Sequence, residues 1–422
     1  MKRLFLLMLT ILFLSCTNIE AIEFDEYGAI DTHGYISQGY LRSDKNNYFC
    51  ETEEGDYNFY EIGVSMTSEV SDKLRIGIQF LSYALGDFGN TNFHVNWANA
   101  DYYINDWIGF KAGKIKIYHG LFNRNRDADF LRTSILLPQS IYNEAWRSTI
   151  SSLNGFEAYG TINAGLAGRF KYNVQTGKVD IEPDGGVAIA AKEKLLEKTN
   201  TTFNIEYIID TVNEEPSFVY SLMWETPLQG LKFNTTYWSL DFDMVGTALL
   251  QSLDVALENS IFRTSASSIT GSVEYTLGNF IFISEYSYSK YDFEFITSLV
   301  RTPSDLETEG YYVNGMYRFT NWFETGLYYS VYYPDKNNKS GKKDLDNNGV
   351  RDFNPIHSAW QKDTCLSFRF DLSNNWIFKL EGHVLEGTAV MMKAHNTVDY
   401  NPADIDLNKN WLLFGAKFTY SF

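Results

Sequence analysis

The residues best able to do chemistry are concentrated between Gly120 and Arg147. Four arginines and three carboxylates stand within this stretch: Arg124, Arg126, Arg132, Arg147, Asp127, Asp129 and Glu144. Arginine and carboxylate groups form forked ion pairs readily. Where such groups face water in a narrow passage, they select ions by sign and orient polar solutes. The stretch therefore predicts either a charged constriction or a set of ion pairs that fixes the segment in place.

Residue types for covalent catalysis are present, but not in a catalytic pattern. The six histidines lack metal-ligand spacing: His33, His94, His119, His357, His383 and His395. His119 lies beside the charged stretch and Ser140 lies within it, yet no nucleophile-elbow motif surrounds that serine. We therefore expect no enzyme and no required cofactor. A hydrolase carried on a membrane barrel is the alternative.

A second pattern lies in the polar stretch 334–356. Its spacing matches the start of an acidic calcium loop, with oxygen ligands at the first, third, fifth and ninth positions, a glycine at the sixth and a backbone carbonyl at the seventh. The candidate ligands are Asp344, Asp346, Asn348, Val350 and Asp352. The twelfth position is Pro355 rather than glutamate, which argues against a standard helix–loop–helix site. The pattern predicts a Ca²⁺-binding turn, and a solvated polar turn is the alternative.

The elements around these residues alternate apolar and polar side chains with a period of two. In Leu74–Ser82, Leu366–Leu372 and Trp376–Val384, every second residue is mostly apolar and its neighbours are mostly polar. Successive side chains of a strand point to opposite faces, so each segment is predicted to be a strand with one apolar face. No run of 18 apolar residues follows the N-terminus, so we expect no transmembrane helix.

Segment length and the pattern of connections favour a membrane β-barrel over a soluble sandwich. The segments run about ten residues, which suits a tilted strand that crosses a bilayer. Short turns such as Ser71-Asp72 and Ser373-Asn374 separate long polar loops. The predicted loops are Ser43–Gly55, Val245–Ala266, Asp292–Glu307, Pro334–Ile356 and Ala389–Asn408. Short turns at one rim and long loops at the other are typical of outer-membrane barrels.

The strand number is predicted to be even, because single-chain bacterial barrels have even numbers. About seventeen candidate strands are visible, so sixteen is favoured and eighteen is the alternative. The uncertain stretch is Gly186–Lys198, which fits a short helix, a poor strand or a folded loop. The final strand, ending at Phe422, is so apolar that a soluble protein would rarely leave it at a chain end.

The N-terminus and the composition indicate a compartment. Lys2 and Arg3 precede an apolar run, and small or polar residues follow to Ala21, so residues 1–21 are predicted to be a secretory signal peptide. Cys16 raises the alternative of a lipid-anchored N-terminus. Formal net charge is −18, which argues against a nucleic-acid partner. Whether Cys50 and Cys365 pair is left open by the sequence.

The signal peptide, the alternating strands, the charged stretch after the fifth strand and the terminal Phe422 together resemble the Gram-negative porins. The segment Asn123–Arg147, with the preceding LRIGIQF and GFKAGKIKI strands, resembles the constriction loop of porins for small hydrophilic solutes. The resemblance covers nearly the whole mature chain, residues 22–422. It implies a homotrimer of sixteen-stranded barrels in the outer membrane, each with its third long loop folded inward. The arginine ladder or aromatic slide of phosphate- and sugar-selective relatives cannot be assigned here, so solute and ion preference stay open.

The expected function is therefore an outer-membrane channel for passive diffusion of ions and small hydrophilic solutes. Residues 118–152 would form the constriction loop and its seven charged residues would set selectivity. Inward-facing strand residues are expected to line the pore wall: Arg75, Lys171, Arg369, Lys379 and Glu381. A structural or adhesive barrel without an open pore is a further alternative.

Overall fold

The strands of the chain hydrogen-bond into one antiparallel sheet that closes on itself. The computed structural model describes residues 22–24, 28–86, 88–89, 91–183, 185–190, 205–250, 253–344, 355–391, 396 and 407–422. Within these residues the strands are β1 Ile22–Phe24, β2 Gly28–Ser43, β3 Phe59–Ser71, β4 Leu74–Leu85, β5 His94–Asn105, β6 Ile108–Lys116, β7 Ser152–Asn163, β8 Arg169–Val179, β9 Ile205–Glu214, β10 Ser217–Glu225, β11 Leu231–Leu250, β12 Val255–Leu277, β13 Phe280–Ile296, β14 Arg301–Thr320, β15 Phe323–Tyr333, β16 Gln361–Asp371, β17 Trp376–Gly387 and β18 Asn410–Ser421.

Sixteen strand positions make up the barrel wall. The sheet closes where β18 pairs with β2, whereas β1 pairs only with β2 and adds no position. The consecutive strands β9 and β10 share one position, because β10 pairs with the first half of β11 and β9 with its second half. Pro216 lies between them and cannot donate a ladder hydrogen bond. The prediction of a sixteen-stranded antiparallel barrel is confirmed.

The two faces of the wall differ as the alternation predicted. In β18, Leu412 and Phe414 are about half exposed on the outer face, whereas Leu413, Lys417 and Thr419 are buried on the inner face. Exposed apolar side chains recur at the outward positions of most other strands. Such an apolar outer band is the surface that a membrane barrel presents to lipid.

The two rims also differ as expected. Short turns join β3 to β4, β5 to β6, β12 to β13 and β14 to β15, with two residues in each turn. The opposite rim carries the long connections, among them the one between β15 and β16, but only four residues join β11 to β12 and β13 to β14 there. We call these the short-turn rim and the long-loop rim. No helix in the described part of the chain is long and apolar enough to cross a membrane.

Two of the predicted long loops are wrong. Most of Val245–Ala266 belongs to β11 and β12, and much of Asp292–Glu307 belongs to β13 and β14. These four strands contain 20, 23, 17 and 20 residues, so they continue well past the length needed to cross a bilayer. Their ladder pairing persists, and buried inward residues such as Met244 and Phe262 alternate with outward residues that are mostly polar. That polar outward face made the extensions look like loops in the sequence.

Apolar side chains fill the inside of the barrel toward the long-loop rim. One cluster includes Trp238, Phe242 and Phe295 from the wall, and residues 186–190, which form a helical turn, contribute Val187 and Ala188. A second cluster joins wall residues such as Trp411 to loop residues such as Tyr48 and Phe88. The interior is therefore apolar toward the long-loop rim, while charged residues line its other half.

Some sequence-based expectations lie outside the described residues. These are the signal peptide 1–21, positions 191–198 of the uncertain stretch, and four candidate calcium ligands, Asp346, Asn348, Val350 and Asp352. Asp344 ends a short 3-10 turn, Lys342–Asp344. Cys50 and Cys365, both buried, do not form a disulfide.

Candidate functional site

Residues 117–151, between β6 and β7, lie inside the barrel, and we call them the inward loop. Three short 3-10 turns interrupt it, at Asn123–Asn125, Asp129–Leu131 and Glu144–Trp146. Gly120 adopts a φ of 56°, a conformation that glycine adopts without strain. Some backbone N–H groups of the inward loop donate to wall side chains, among them those of Ile135 and Leu121. The loop is therefore part of the packed interior of the barrel.

One side of the inward loop is bound to β17 and β18. The Glu381 carboxylate accepts the backbone N–H of Ile135 at 2.6 Å and that of Leu136 at 3.1 Å. The Lys379 ammonium lies 3.0 Å from the Asp129 carboxylate and donates to the Asp129 carbonyl at 2.6 Å. Lys379 and Glu381 were predicted to line the pore wall. Both are almost fully buried under the loop.

The other side of the inward loop is bound to β11, β13 and β14. The Glu285 carboxylate accepts the Tyr142 hydroxyl at 2.5 Å and the Leu121 N–H at 2.9 Å. Trp238 donates its indole N–H to His119 Nδ1 at 3.1 Å, and His119 Nε2 lies 2.9 Å from the Ile141 carbonyl oxygen. The loop thus spans the interior from one side of the wall to the other.

The centre of the loop is an ion-pair network. The Arg147 guanidinium lies 2.5 Å from Glu61 and 2.9 Å from Asp127. Lys116 lies 2.6 Å from Asp127, and Lys417 lies 2.5 Å from Glu61. Buried charges are tolerated only when they are paired, so each member depends on the others.

The predicted constriction residues divide into two groups by exposure. Arg126, Asp127, Asp129, Glu144 and Arg147 have 6% or less of their surface exposed. Arg126 pairs with Glu144 at 2.7 Å, and Arg132 lies 3.6 Å from Asp129. Arg124 alone among the seven is classed as exposed, and it donates to the Tyr118 hydroxyl at 2.6 Å. Six of the seven charged residues therefore form ion pairs that hold the loop in place, which was one of the two predicted roles. Arg124 instead faces open space.

Open space lies between the inward loop and the short-turn rim. Two adjoining cavities of about 400 and 340 Å³ share Trp97, Arg124 and Asn125 in their walls. The second cavity is lined by charges of both signs, including Arg75, Lys111, Asp101 and Glu157. We call the two cavities the vestibule. It is the water-accessible, charged part of the interior, and of the predicted wall residues Arg75 lies there.

The two remaining predicted wall residues are inward-facing but paired. Lys171 lies 2.6 Å from Glu225 near the short-turn rim. Arg369 donates to the Phe130 carbonyl oxygen at 2.6 Å and pairs with Asp371 at 2.7 Å. Arg369 therefore helps to hold the inward loop, whereas Lys171 belongs to the wall away from it.

The surroundings of the inward loop shift the pKa values of its ionisable groups. Burial alone would raise the pKa of Asp127, but Lys116 and Arg147 hold that pKa well below its usual range. Burial likewise opposes ionisation of Asp129, and Lys379 and Lys417 bring its pKa down. Burial lowers the pKa of His119 to about 4. The network is therefore built for ionised carboxylates and a neutral His119.

Several residues that hold the loop were not predicted. Glu61, Lys116, Glu285 and Lys417 come from the wall, and each is bonded to the loop or its ion pairs. The available signal was a charged residue at an inward position of an alternating strand, as with Lys417 in the final strand. The hydrolase alternative required His119 and Ser140 to pair. Ser140 instead bonds to the Ser330 hydroxyl at 2.8 Å, and His119 bonds to Trp238 and Ile141.

The barrel can be compared with proteins of known structure. No protein-family model and no curated protein sequence matches the chain. Among solved structures, the outer membrane channel DcaP of Acinetobacter baumannii aligns with a TM-score of 0.53 and 10% identity, over 96% of this chain and 100% of that one. OmpF of Salmonella typhi aligns with a TM-score of 0.53 and 12% identity, over 96% of this chain and 100% of that one. An anion-selective porin from Comamonas acidovorans aligns with a TM-score of 0.51 and 12% identity, over 93% of this chain and 99% of that one. At these identities the likeness concerns the fold, and the fold is that of the porins.

Proposed function

We propose that this chain is an outer-membrane porin, a channel through which ions and small hydrophilic solutes diffuse passively. The observation that carries the proposal is a closed sixteen-position barrel, apolar outside, with a charged segment bound across its interior. A barrel of this size encloses enough space for an aqueous channel. The likeness in fold to solved porins supports the same conclusion.

In this proposal the protein resides in the outer membrane of a Gram-negative bacterium after the signal peptide is removed. Its partners are membrane lipid at the outer face and ions or small polar solutes inside, with no nucleic acid. A homotrimer follows from the resemblance to porins. Calcium bound by Asp344, Asp346, Asn348, Val350 and Asp352 stays a separate proposal, which calcium-dependent protection of residues 334–355 from proteases would support.

We assign selectivity to the charges of the inward loop in two ways. Arg124 acts directly, because it borders both cavities of the vestibule and is exposed there. The six others act by holding the loop: Arg126, Asp127, Asp129, Arg132, Glu144 and Arg147. Charged groups at a narrow part of a channel select ions by sign. Arg75 and Lys111 border the same vestibule beside Asp101 and Glu157, and Lys111 lies 3.9 Å from Asp101 and 3.4 Å from Glu157.

Planar-bilayer recording tests the proposal. Wild-type protein should give stepwise channels, and Arg124→Glu should shift the permeability ratio toward cations by about twofold or more, as measured from the reversal potential in a salt gradient. Lys290→Glu is the matched control, because Lys290 is an exposed lysine that pairs with Asp292 on the outer face of β13.

The outcomes separate the candidate functions. Channels whose selectivity is the same in wild type and Arg124→Glu would remove the assigned role of Arg124 but keep the porin. No channels together with esterase activity would favour the hydrolase. The absence of both channels and esterase activity would favour a structural barrel.

A further inference from the structure

Four potential ligands lie together on the inner face of β16 and β17. Asp363 and Cys365 are two residues apart on β16, and Glu381 and His383 are two residues apart on β17, so all four side chains point inward. Cys365 is directly opposite His383 in the ladder. All four are buried, with Cys365 and Glu381 at 1% exposure or less. The proposed channel makes no use of the thiol or the imidazole.

The imidazole of His383 is oriented by its neighbours. Its Nδ1 lies 3.0 Å from both carboxylate oxygens of Asp363, and the Tyr328 hydroxyl donates to Asp363 at 2.9 Å. A carboxylate at Nδ1 keeps the proton on that nitrogen. The other nitrogen, Nε2, faces Glu381, whose Oε1 is 3.1 Å away. Carboxylate, histidine and metal follow one another in this order in many zinc sites.

An ion pair between a protonated His383 and the two carboxylates is the simpler interpretation, and it leaves two features unexplained. Nε2 of His383 is buried and has no aligned hydrogen-bond partner. The Cys365 thiol, which such an ion pair does not require, donates to Glu381 Oε2 at 4.0 Å. A ring nitrogen without an aligned hydrogen bond, a thiol and a carboxylate together form the donor set that borderline-soft divalent metals prefer.

We propose that Cys365, Glu381 and His383 bind a divalent metal ion of the zinc type. Their ligating atoms already lie within 4.8 Å of one another. Bonds of about 2.0–2.3 Å to one ion would draw the most distant pair together by about 1 Å. The ion would displace the thiol proton to solvent, and thiolate plus carboxylate would balance its two positive charges. Asp363 would hold His383 from outside the coordination sphere, and a fourth position would remain for water.

The location links such an ion to the inward loop. Glu381 accepts the backbone N–H groups of Ile135 and Leu136, so one carboxylate would hold both the loop and the metal. A metal bound here would stiffen the contact between the loop and β17. This goes beyond the proposed channel, because the site could exist whether or not the barrel conducts.

Metal binding to the untagged full-length protein tests this inference. Chelator-stripped protein in detergent should bind one equivalent of Zn²⁺ and one of Co²⁺, and the Co²⁺ form should show a near-ultraviolet thiolate charge-transfer band. Cys365→Ser should lose that band, and His383→Gln should bind Zn²⁺ about tenfold or more weakly. Cys50→Ser is the matched control, because Cys50 is the other buried cysteine of the described residues and lies in the first long-loop connection. It should keep both signals.

A readout on wild-type protein avoids reliance on variants that fail to fold. X-ray absorption at the zinc edge should detect one sulfur neighbour at about 2.3 Å. Zinc with only oxygen and nitrogen neighbours would overturn the site, as would equal Zn²⁺ affinity in wild type and Cys365→Ser or no stoichiometric binding. These outcomes leave the porin proposal untouched, since none of them depends on conductance.

Discussion

Arg147 holds three carboxylates together at the centre of the inward loop. Its guanidinium contacts Glu61, Asp127 and Glu144, and the guanidinium carbon Cζ lies 4.2 Å from the centre of the Tyr83 ring. Arg147→Gln leaves these buried carboxylates short of positive charge, which typically costs about 3–5 kcal/mol. We expect a lower free energy of unfolding in urea and faster protease cleavage within residues 117–151.

The matched control for Arg147 is Arg301, whose pair with Glu294 is exposed to solvent. Exposed ion pairs contribute little to stability, so Arg301→Gln should unfold like the wild type. Equal stability of Arg147→Gln and wild type would show that the network is not needed to hold the loop.

The titratable groups of the inward loop predict a loss of stability in acid. The folded-state pKa of His119, about 4, lies below the ordinary value of about 6.5. Between these two values the unfolded chain binds a proton that the folded chain does not, so stability falls as pH falls through this window. The pKa values of Asp127 and Asp129 are also lowered, so their contribution is complete above about pH 5 and is lost as pH falls further.

Protease sensitivity of the inward loop measured from pH 7 to pH 3 checks this prediction. Protease sensitivity of the wild type should rise in two stages as pH falls. The first stage comes from protonation of His119, which lowers the stability of the folded loop by about 3 kcal/mol at most. His119→Gln keeps a donor and an acceptor at the site but does not titrate, so the first stage should disappear. A first stage that survives in His119→Gln would assign it to another group.

At the scale of the element, the contact between β14 and the inward loop depends on Gly310. A Cβ added at Gly310 would lie 2.0 Å from the Ser140 carbonyl oxygen, so any side chain must push the loop away. We expect Gly310→Ala to displace the loop by about 1 Å and to cost about 1–3 kcal/mol, as overpacked sites do. Loop proteolysis and single-channel conductance should both change. Gly382→Ala is the control, because a Cβ there meets nothing within 4 Å, and a similar response from both variants would contradict the prediction.

The strands and part of the candidate metal site follow from local sequence patterns. The alternation of apolar and polar side chains, with an even number of strands, predicts the barrel. Each strand has one face toward lipid and one toward the interior, so its side chains must suit two different surroundings. The turn at Ser373-Asn374 also fixes the register between β16 and β17. Cys365 and His383 are each nine residues from Asn374, and they are directly opposite each other in the ladder. The juxtaposition of Cys365 and His383 therefore follows from a hairpin argument, whereas the spacing of the histidines along the chain alone does not show it.

The partners of the inward loop could not be predicted in the same way. Arg147 pairs with Glu61 and Asp129 with Lys379, and these partners lie on strands distant in sequence. Which wall residue a loop charge meets depends on how the loop crosses the closed barrel, and no local pattern encodes that path. The extensions of β11 to β14 were predicted to be loops for a related reason. Beyond the bilayer, the outward face of a strand is mostly polar, so its sequence resembles that of a loop.

At the scale of the whole molecule, the interior is divided along the barrel axis. Apolar clusters occupy the interior toward the long-loop rim, and the charged network and vestibule lie toward the short-turn rim. The net charge of −18 is a sum over all surfaces, so it does not give the sign of the ion preference. The groups that border the vestibule should decide that preference, because nearby charges act with the least screening.

Removal of the inward loop should separate the barrel from its constriction. The wall closes through strand ladders that the loop does not join, so replacing residues 123–149 by a short Gly/Ser linker should leave the β-sheet signal in circular dichroism unchanged. The loop also contributes Ile135, Leu136 and Ala145 to the apolar packing, so its removal opens space on both sides of the charged network. We expect single-channel conductance to rise about two- to fivefold, since the lumen of a sixteen-stranded barrel is then less obstructed. A folded variant with unchanged conductance would mean that permeating ions do not pass beside residues 117–151.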